Sequence, residues 1–232
     1  MDYAYYGDVM GTVAIETIQR QREEDMQDVE ARFNKAIVLR EGKCAFIADR
    51  AMGYQRLFAQ AAVSDLIICG QHSPKDPGPA DSVVTEDLIM RTGKPVLVIP
   101  YIGCQNTVGK NILIAWDHSR EASRAVHDAM PFLKTAEAVN IVSVVKKDTK
   151  QHEIATADLA EHLARHNINV IAQDMVKNEV PVAETLLSRL SDTGSDMLVM
   201  GAYGHSRLRE YTFGGVTRTL LDSMTVPVLM TH

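Results

Sequence analysis

The chain repeats part of itself, and this repeat limits the folds it can adopt more than any other feature. The segment "SDLIICG", which contains Asp65, returns as "SDMLVMG", which contains Asp196. Likewise "KPVLVIP" around Pro95 returns as "VPVLMTH" around Pro227, and the two separations differ by only one residue. Landmarks that keep a constant offset indicate a duplicated unit, and this offset is too long for a solenoid repeat. Each copy is therefore predicted to be a small domain.

Strands and helices alternate through the second copy. Apolar or β-branched runs, "NILIAWD" at 111–117 and "VNIVSVV" at 139–145, predict buried strands. Helices are predicted to follow Ser119, a good N-cap residue, and to begin at Pro181. The alternation predicts an α/β fold with a doubly wound, parallel, five-stranded, Rossmann-like sheet, in which ligands bind beyond the carboxyl ends of the strands.

The first copy is incomplete. It offers a long helix, a strand around "CAFIAD", a helix from about Tyr54 and two further strands, but no equivalent of the first two strands of the second copy. We expect either that the chain begins late or that another chain supplies the missing strands, because a sheet without its central strand has unpaired edges. The predicted domains are 1–100, incomplete and degenerate, and 110–232, complete, with 101–109 as the linker.

A glycine-rich loop follows the strand that ends at Gly201. Two residues separate Gly201 from Gly204, and nine separate Gly204 from Gly214. Glycines let backbone N–H groups approach an anion without a Cβ clash. The helix predicted from Val216 directs its positive dipole end at the same place, and Asp117 ends the neighbouring strand. This combination favours a phosphate-containing ligand over a plain strand–helix connection.

These motifs resemble those of the universal stress protein family in its tandem two-domain form. Its nucleotide-binding members have a strand ending in Asp and a later G-x2-G-x9-G-[S/T] loop. The resemblance implies ATP or AMP, with or without Mg²⁺, as the ligand. By the same resemblance, the adenine and ribose would lie near Ala115, Asp117, Val144 and Met200, and the phosphates near Gly201, Gly204, Gly214, Gly215, Val216 and Thr217.

The sequence departs from the family pattern at Gly215, where the ATP binders usually carry Ser or Thr. A lost hydrogen bond to a charged group costs about 1.5–3 kcal/mol, so weaker binding or a ligand with fewer phosphates is expected. The first copy departs further, since no second glycine follows "IICG" at the required spacing and three prolines remove backbone donors. We expect it to be a scaffold that pairs with the second copy through their last strands, as the family's dimers do, and a homodimer is an option.

The resemblance implies a stress-response regulator or sensor. Paired carboxylates and an activated nucleophile are not visible, so no catalytic residue is predicted and any ATPase activity should be slow. Two alternatives stay open: an interaction or assembly module that binds no nucleotide, and a weak ATP hydrolase. Asp117 could also simply cap the following helix, and Trp116 is interpreted as packing on the opposite face of the strand. His162 and His166, one helical turn apart, are interpreted as a solvated face and not as metal ligands.

Charge and composition exclude other classes. A net charge of −6 and a pI near 5.7 argue against a nucleic-acid partner. The apolar runs are far shorter than the roughly 20 residues that span a bilayer, which argues against a membrane partner. The N-terminus lacks the pattern of a secretory signal, and three cysteines without C-x-x-C spacing fit a reducing compartment. A cytoplasmic location is therefore expected.

Overall fold

The computed structural model describes residues 3–38, 43–48, 54–72, 81–104, 107–145, 150–176, 180–204 and 215–232. The chain divides into two structural units, residues 1–56 and residues 57–232. Helices and strands follow one another in the order α1 (Tyr3–Ile37), α2 (Gln55–Ala62), β1 (Ile67–Gly70), α3 (Asp81–Arg91), β2 (Val96–Ile99), β3 (Asn111–Ala115), α4 (Arg120–Asp128), α5 (Met130–Leu133), β4 (Ala138–Val145), α6 (Lys150–Ala164), β5 (Val170–Val176), α7 (Val182–Thr193), β6 (Met197–Gly201), α8 (Gly215–Ser223) and β7 (Val228–Thr231).

The first unit contains the long helix α1. The strand predicted around "CAFIAD" is wrong, because residues 43–48 form neither helix nor strand. A strand needs a neighbour to satisfy its backbone. This short segment instead packs a side chain on the helix, with the rings of Phe33 and Phe46 centred 5.6 Å apart. Among the described residues of the whole chain, no helix is both long and apolar enough to cross a membrane.

The second unit is built on a seven-stranded sheet with the order β1-β2-β7-β6-β3-β4-β5. Every neighbouring pair is parallel except β2 and β7, which are antiparallel. The five strands from β7 to β5 all come from the second copy and run parallel to one another. They confirm the five-stranded sheet predicted from the alternation of strands and helices.

The sequence repeat corresponds to a repeated set of backbone hydrogen bonds. In the first copy the N–H of Ile67 donates to the carbonyl of Pro95 at 3.0 Å. In the second copy the N–H of Leu198 donates to the carbonyl of Pro227 at 2.9 Å. The segments that look alike therefore form the same parallel strand pair, β1 with β2 and β6 with β7.

The two copies meet where β2 lies antiparallel to β7. Leu97 faces Leu229 at the centre of this pair, and both side chains are buried. The side chain of Gln71, which follows β1, adds a second link by donating to the carbonyl of Leu221 at 2.7 Å. These are the two last strands that the sequence analysis proposed as the pairing edges. Pairing of two separate domains, and the boundaries proposed for them, remain predictions.

Two apolar layers cover the two faces of the sheet. Along β3 the side chains of Ile112 and Ile114 enter one layer, while Leu113 enters the other. Helices α4, α5 and α6 cover the first layer, which includes Val126 and Leu163. Helices α7 and α8 contribute to the second. Because alternate residues of β3 point to opposite layers, the residues that follow it are also divided between the two faces.

The Asp196 side chain connects the start of β6 to the start of β3 through hydrogen bonds. Its carboxylate accepts hydrogen bonds from the backbone N–H groups of Gly109 at 3.0 Å, Lys110 at 3.1 Å and Asn111 at 3.0 Å. The residue is 6% exposed. Charge-assisted bonds to three successive amides hold the chain as it enters the central strand. The repeat equivalent, Asp65, is exposed.

We predict that Asp196→Ala lowers the free energy of unfolding by about 2–4 kcal/mol, because three backbone donors lose a charged acceptor. Chemical denaturation followed by circular dichroism measures the change. Asp65→Ala is the matched control, and its effect should stay within about 0.5 kcal/mol, as for other exposed positions. Equal effects of the two substitutions would contradict the structural role assigned to Asp196.

Candidate functional site

A cavity of about 390 Å³ opens beside the carboxyl ends of β3 and β6. These strands are neighbours, yet the chain leaves β3 toward β4 on one side and reaches β6 only later on the other. This is the point where the strand order reverses, which is where open α/β sheets bind ligands. The cavity is lined by Ala115, Trp116, Asp117, Val142, Val144, Val182, Leu186, Met200, Gly201, Tyr203, Gly204, Gly215, Val216 and Thr217.

The structure brings nearly all of the predicted site residues to this cavity. Nine of them line it: Ala115, Asp117, Val144, Met200, Gly201, Gly204, Gly215, Val216 and Thr217. The tenth, Gly214, lies outside the described residues. Residues separated by up to about a hundred positions in the chain therefore surround one space. Their role in binding remains a proposal.

Asp117 lies at the mouth of the cavity and also supports the start of α4. Its Oδ1 accepts hydrogen bonds from the backbone N–H of Ser119 at 3.0 Å and from the Ser119 hydroxyl at 2.5 Å. The Ser119 Oγ in turn accepts from the N–H of Ala122 at 3.1 Å, which confirms Ser119 as the N-cap of α4. The capping alternative for Asp117 is thus partly correct, since Asp117 orients the capping residue. Because a carboxylate accepts up to about four hydrogen bonds, the Asp117 carboxylate can hold Ser119 and also accept a hydrogen bond from a ligand.

Gly201 has a structural reason to be glycine. A Cβ at this position would lie 2.5 Å from the backbone nitrogen of Ala122 and 2.7 Å from the carbonyl carbon of Glu121. The end of β6 and the first turn of α4 can approach this closely only without a side chain. The glycine is therefore required by packing, whether or not its backbone also meets a phosphate.

Gly204 and Gly215 differ from Gly201 in their surroundings. A Cβ on Gly204 would lie 3.1 Å from the Oε2 of Glu121, which is the end of a side chain. A Cβ on Gly215, the first residue of α8, would have no heavy atom of the described residues within 4 Å. Position 215 therefore has room for the Ser or Thr side chain that the family pattern puts there.

Thr217 and Tyr203 form the wall of the cavity nearest α8. Thr217 is 4% exposed, and its Oγ1 accepts a hydrogen bond from the backbone N–H of Tyr203 at 3.5 Å. Tyr203 has a φ of 58°, an uncommon conformation for a residue with a side chain. The threonine hydroxyl thus has a structural partner in the turn after β6, in addition to the phosphate role predicted for it.

Burial and neighbouring carboxylates raise the pKa of the Tyr203 phenol. Burial raises its pKa most, and the Glu86 carboxylate raises it further. Asp222 acts in the same direction, while the Arg218 guanidinium lowers the pKa. The phenol is consequently protonated at physiological pH and forms an uncharged part of the wall.

Sequence reasoning missed the apolar side of the cavity. Val142, Val182 and Leu186 line it together with the predicted Val144 and Met200. Val182 and Leu186 stand four residues apart on α7, so the helical periodicity of that segment could have placed both on its inner face. What the sequence alone does not give is which end of α7 reaches the carboxyl edge of the sheet.

Trp116 follows β3, and its ring packs with the layer that contains Val126 and Leu159. Ala115, one residue earlier, packs with the opposite layer. The interpretation of Trp116 as a packing residue agrees with this contact, but Trp116 also lines the cavity, so it is not wholly turned away from the site.

Comparison with known proteins agrees with the fold and the motifs. The sequence model of the universal stress protein family matches residues 109–232. Universal stress protein Slr1230 of Synechocystis is 29% identical over 150 residues, which is 62% of this chain and 49% of that protein. The chain thus spans about half the length of this curated relative.

A solved structure shares the architecture of this chain. A universal stress protein from Archaeoglobus fulgidus is similar with a TM-score of 0.72 and 17% identity, covering 94% of this chain and 81% of that one. Another universal stress protein, solved in complex with cAMP, is 14% identical with a TM-score of 0.43, covering 53% of this chain and 97% of that one.

The chain belongs to the universal stress protein family. The family match alone covers more than half of its residues, and it includes every strand from β3 onward. The resemblance inferred from the glycine spacing and the strand-ending aspartate is confirmed at the level of the family.

We predict that Gly201→Ala lowers the free energy of unfolding by about 2–3 kcal/mol, because the new methyl group overlaps the backbone of α4. Gly215→Ala is the matched control at an open helical position and should leave stability unchanged or raise it by up to about 1 kcal/mol. Thermal and chemical unfolding of both variants give the comparison. A stable Gly201→Ala protein would mean that β6 and α4 are farther apart than described.

Proposed function

We propose that this chain binds an adenine nucleotide, ATP or AMP, in the cavity at the carboxyl ends of β3 and β6. The observation that carries the proposal is the assembly of nine motif residues around one cavity at the point where strand order reverses. A volume of about 390 Å³ falls within the range of roughly 300–1,000 Å³ that is usual for small-molecule sites. The size and the location support a ligand of nucleotide dimensions.

The walls of the cavity are divided in the way a nucleotide requires. Val142, Val144, Leu186 and Met200 form an apolar side that suits the face of a purine. Asp117, at the end of β3, supplies carboxylate oxygens that can accept hydrogen bonds from ribose hydroxyls or from an exocyclic amine. The base and the sugar would therefore lie between β3, β4 and α7.

The phosphates would lie at the start of α8. Gly215 and Val216 are its first two residues, and the unpaired N–H groups of a helix N-terminus attract anions. Mg²⁺ that accompanies ATP usually keeps several waters and binds chiefly to the phosphates, so few protein ligands are needed. Asp117 is the one carboxylate in the described lining of the cavity. We therefore propose regulation or sensing in the stress response, with ATP hydrolysis slow or absent.

One observation favours the alternative of an interaction module without a nucleotide. Packing against α4 already explains the glycine at 201, and Gly215 lacks the hydroxyl that the family's ATP binders use. A chain that kept the fold and lost the ligand would show both features. Binding measurements on variants separate this alternative from a weakened but working site.

Isothermal titration with ATP, ADP and AMP at millimolar concentration should detect saturable binding. Asp117→Asn should weaken it about tenfold, since a bond to a charged group is lost while the amide oxygen still holds Ser119. Asp65→Asn removes the same charge from an exposed position and should leave affinity unchanged. Absence of heat with all three nucleotides, for a protein that is folded, would refute the nucleotide site.

Gly215→Ser should raise the affinity for ATP or AMP by about tenfold, because it adds a hydroxyl donor in open space at the phosphate end. Affinity for adenosine should not change. Gly70→Ser, also in open space among the described residues but at the end of β1, is the matched control. If wild type and Gly215→Ser are equally inert toward nucleotides, the interaction module becomes the better description.

A further inference from the structure

We propose that a second cavity, on the opposite face of the sheet, binds a small organic carboxylate with an apolar body. This histidine cavity has a volume of about 510 Å³ and is independent of the nucleotide proposal. It is lined by Trp116, Ser123, Val126, His127, Met130, Lys134, Leu159, His162 and His166.

The histidine cavity lies between the end of β3 and two helical segments. Trp116 comes from the strand end, while His127 on α4 and Lys134 after α5 form one side. His162 on α6 and His166 just beyond it form the other side. His162 and His166, interpreted from the sequence as a solvated face, are indeed exposed, and they also border this concave space.

Its polar lining is made of groups that donate hydrogen bonds or carry positive charge. Three imidazoles, the Lys134 ammonium and the Ser123 hydroxyl line the cavity, and none of its described lining residues carries a carboxylate. The nearby Glu161 pairs with Arg165 at 2.6 Å. Within the described part of the chain Lys134 makes no ion pair. The lining therefore favours a negative charge.

Trp116, which lines both cavities, carries a buried hydrogen-bond donor. The indole nitrogen is buried and has no hydrogen-bond acceptor among the described residues. Buried donors are normally paired, and an unpaired one carries a desolvation cost. The ring packs with the layer that contains Val126 and Leu159, which also line the histidine cavity. The indole ring therefore reports on a ligand in the histidine cavity by its position in the lining, and its N–H would gain an acceptor if a ligand oxygen reached it.

The remaining lining selects the kind of anion. Val126, Met130, Leu159 and the ring of Trp116 are apolar, so a bare inorganic anion would leave them without a partner. The rings of His162 and His166 are centred 5.0 Å apart, edge to face. No group of three His, Cys, Asp or Glu side chains in the described residues could hold a metal ion. A carboxylate attached to an aromatic or aliphatic group would contact both the polar and the apolar lining residues of the cavity.

Benzoate is the probe that tests this proposal, with benzamide as its uncharged match. The sequence contains a single tryptophan, so one indole N–H signal in a proton–nitrogen correlation spectrum reports on Trp116. We expect benzoate at millimolar concentration to shift this signal saturably, and benzamide to do so much more weakly. Equal responses to both, or no saturable shift with benzoate, would overturn the proposal.

Variants locate the bound benzoate. The double substitution His162→Gln with His166→Gln should weaken benzoate binding about tenfold, as expected when bonds to a charged group are lost. Lys134→Met should weaken it about threefold, as for an exposed ion pair. Lys110→Met is the control, because that lysine pairs with Glu137 outside the cavity. The rest of the spectrum verifies that each variant is folded.

The same titration distinguishes the two cavities. Benzoate affinity that is unchanged in the His162→Gln, His166→Gln and Lys134→Met variants, or a shift that saturating AMP abolishes by competition, would place benzoate elsewhere and overturn the proposal. A shift that persists with AMP and disappears in the variants supports it. Failure of AMP to bind would refute the nucleotide proposal alone and would leave this test intact.

Discussion

The close approach of β6 to the first turn of α4 is the contact on which the candidate nucleotide cavity depends. It requires a residue without a side chain at position 201, since a Cβ there would lie 2.5 Å from the backbone nitrogen of Ala122. In the same region, Gly204 lies close to Ser119 and Glu121 at the start of α4, and Ser119 in turn bonds to Asp117. The packing of α4 on β6 and the shape of the candidate cavity therefore both depend on this one glycine.

The repeat and the periodic apolar runs were sufficient to predict the strands of the second unit. The parallel direction of these strands follows from the helices that connect them. Asp117 and Gly201 lie near each other because β3 and β6 are adjacent in the sheet. The strand expected near Phe46 was wrong. A short apolar run predicts that its side chains pack against something, but it does not predict that the segment itself forms a strand, and here Phe46 packs against Phe33 of a helix. Leu186 was not predicted to line the cavity, because its contact with the cavity depends on how α7 packs over the sheet.

Alternation along β3 explains why the two candidate sites lie on opposite faces. Ala115 packs with the layer that borders the proposed nucleotide cavity, and Trp116 packs with the layer that borders the histidine cavity. The backbone between these two residues is thus shared by both sites. A ligand on either side would act on the same short segment, just before the turn that His118 enters with a φ of 64°.

The antiparallel pairing of β2 with β7 determines the direction in which the strands of the first copy run. Because β1 and β2 run opposite to the other five strands, their carboxyl ends lie at the end of the sheet away from the proposed nucleotide cavity. Among the described strand residues, three pairs centred on Leu97 and Leu229 join the two orientations. The carboxyl ends of the strands in the two copies therefore lie at opposite ends of the sheet. The residues at these two ends can diverge in sequence while the pairing of β2 with β7 preserves the fold.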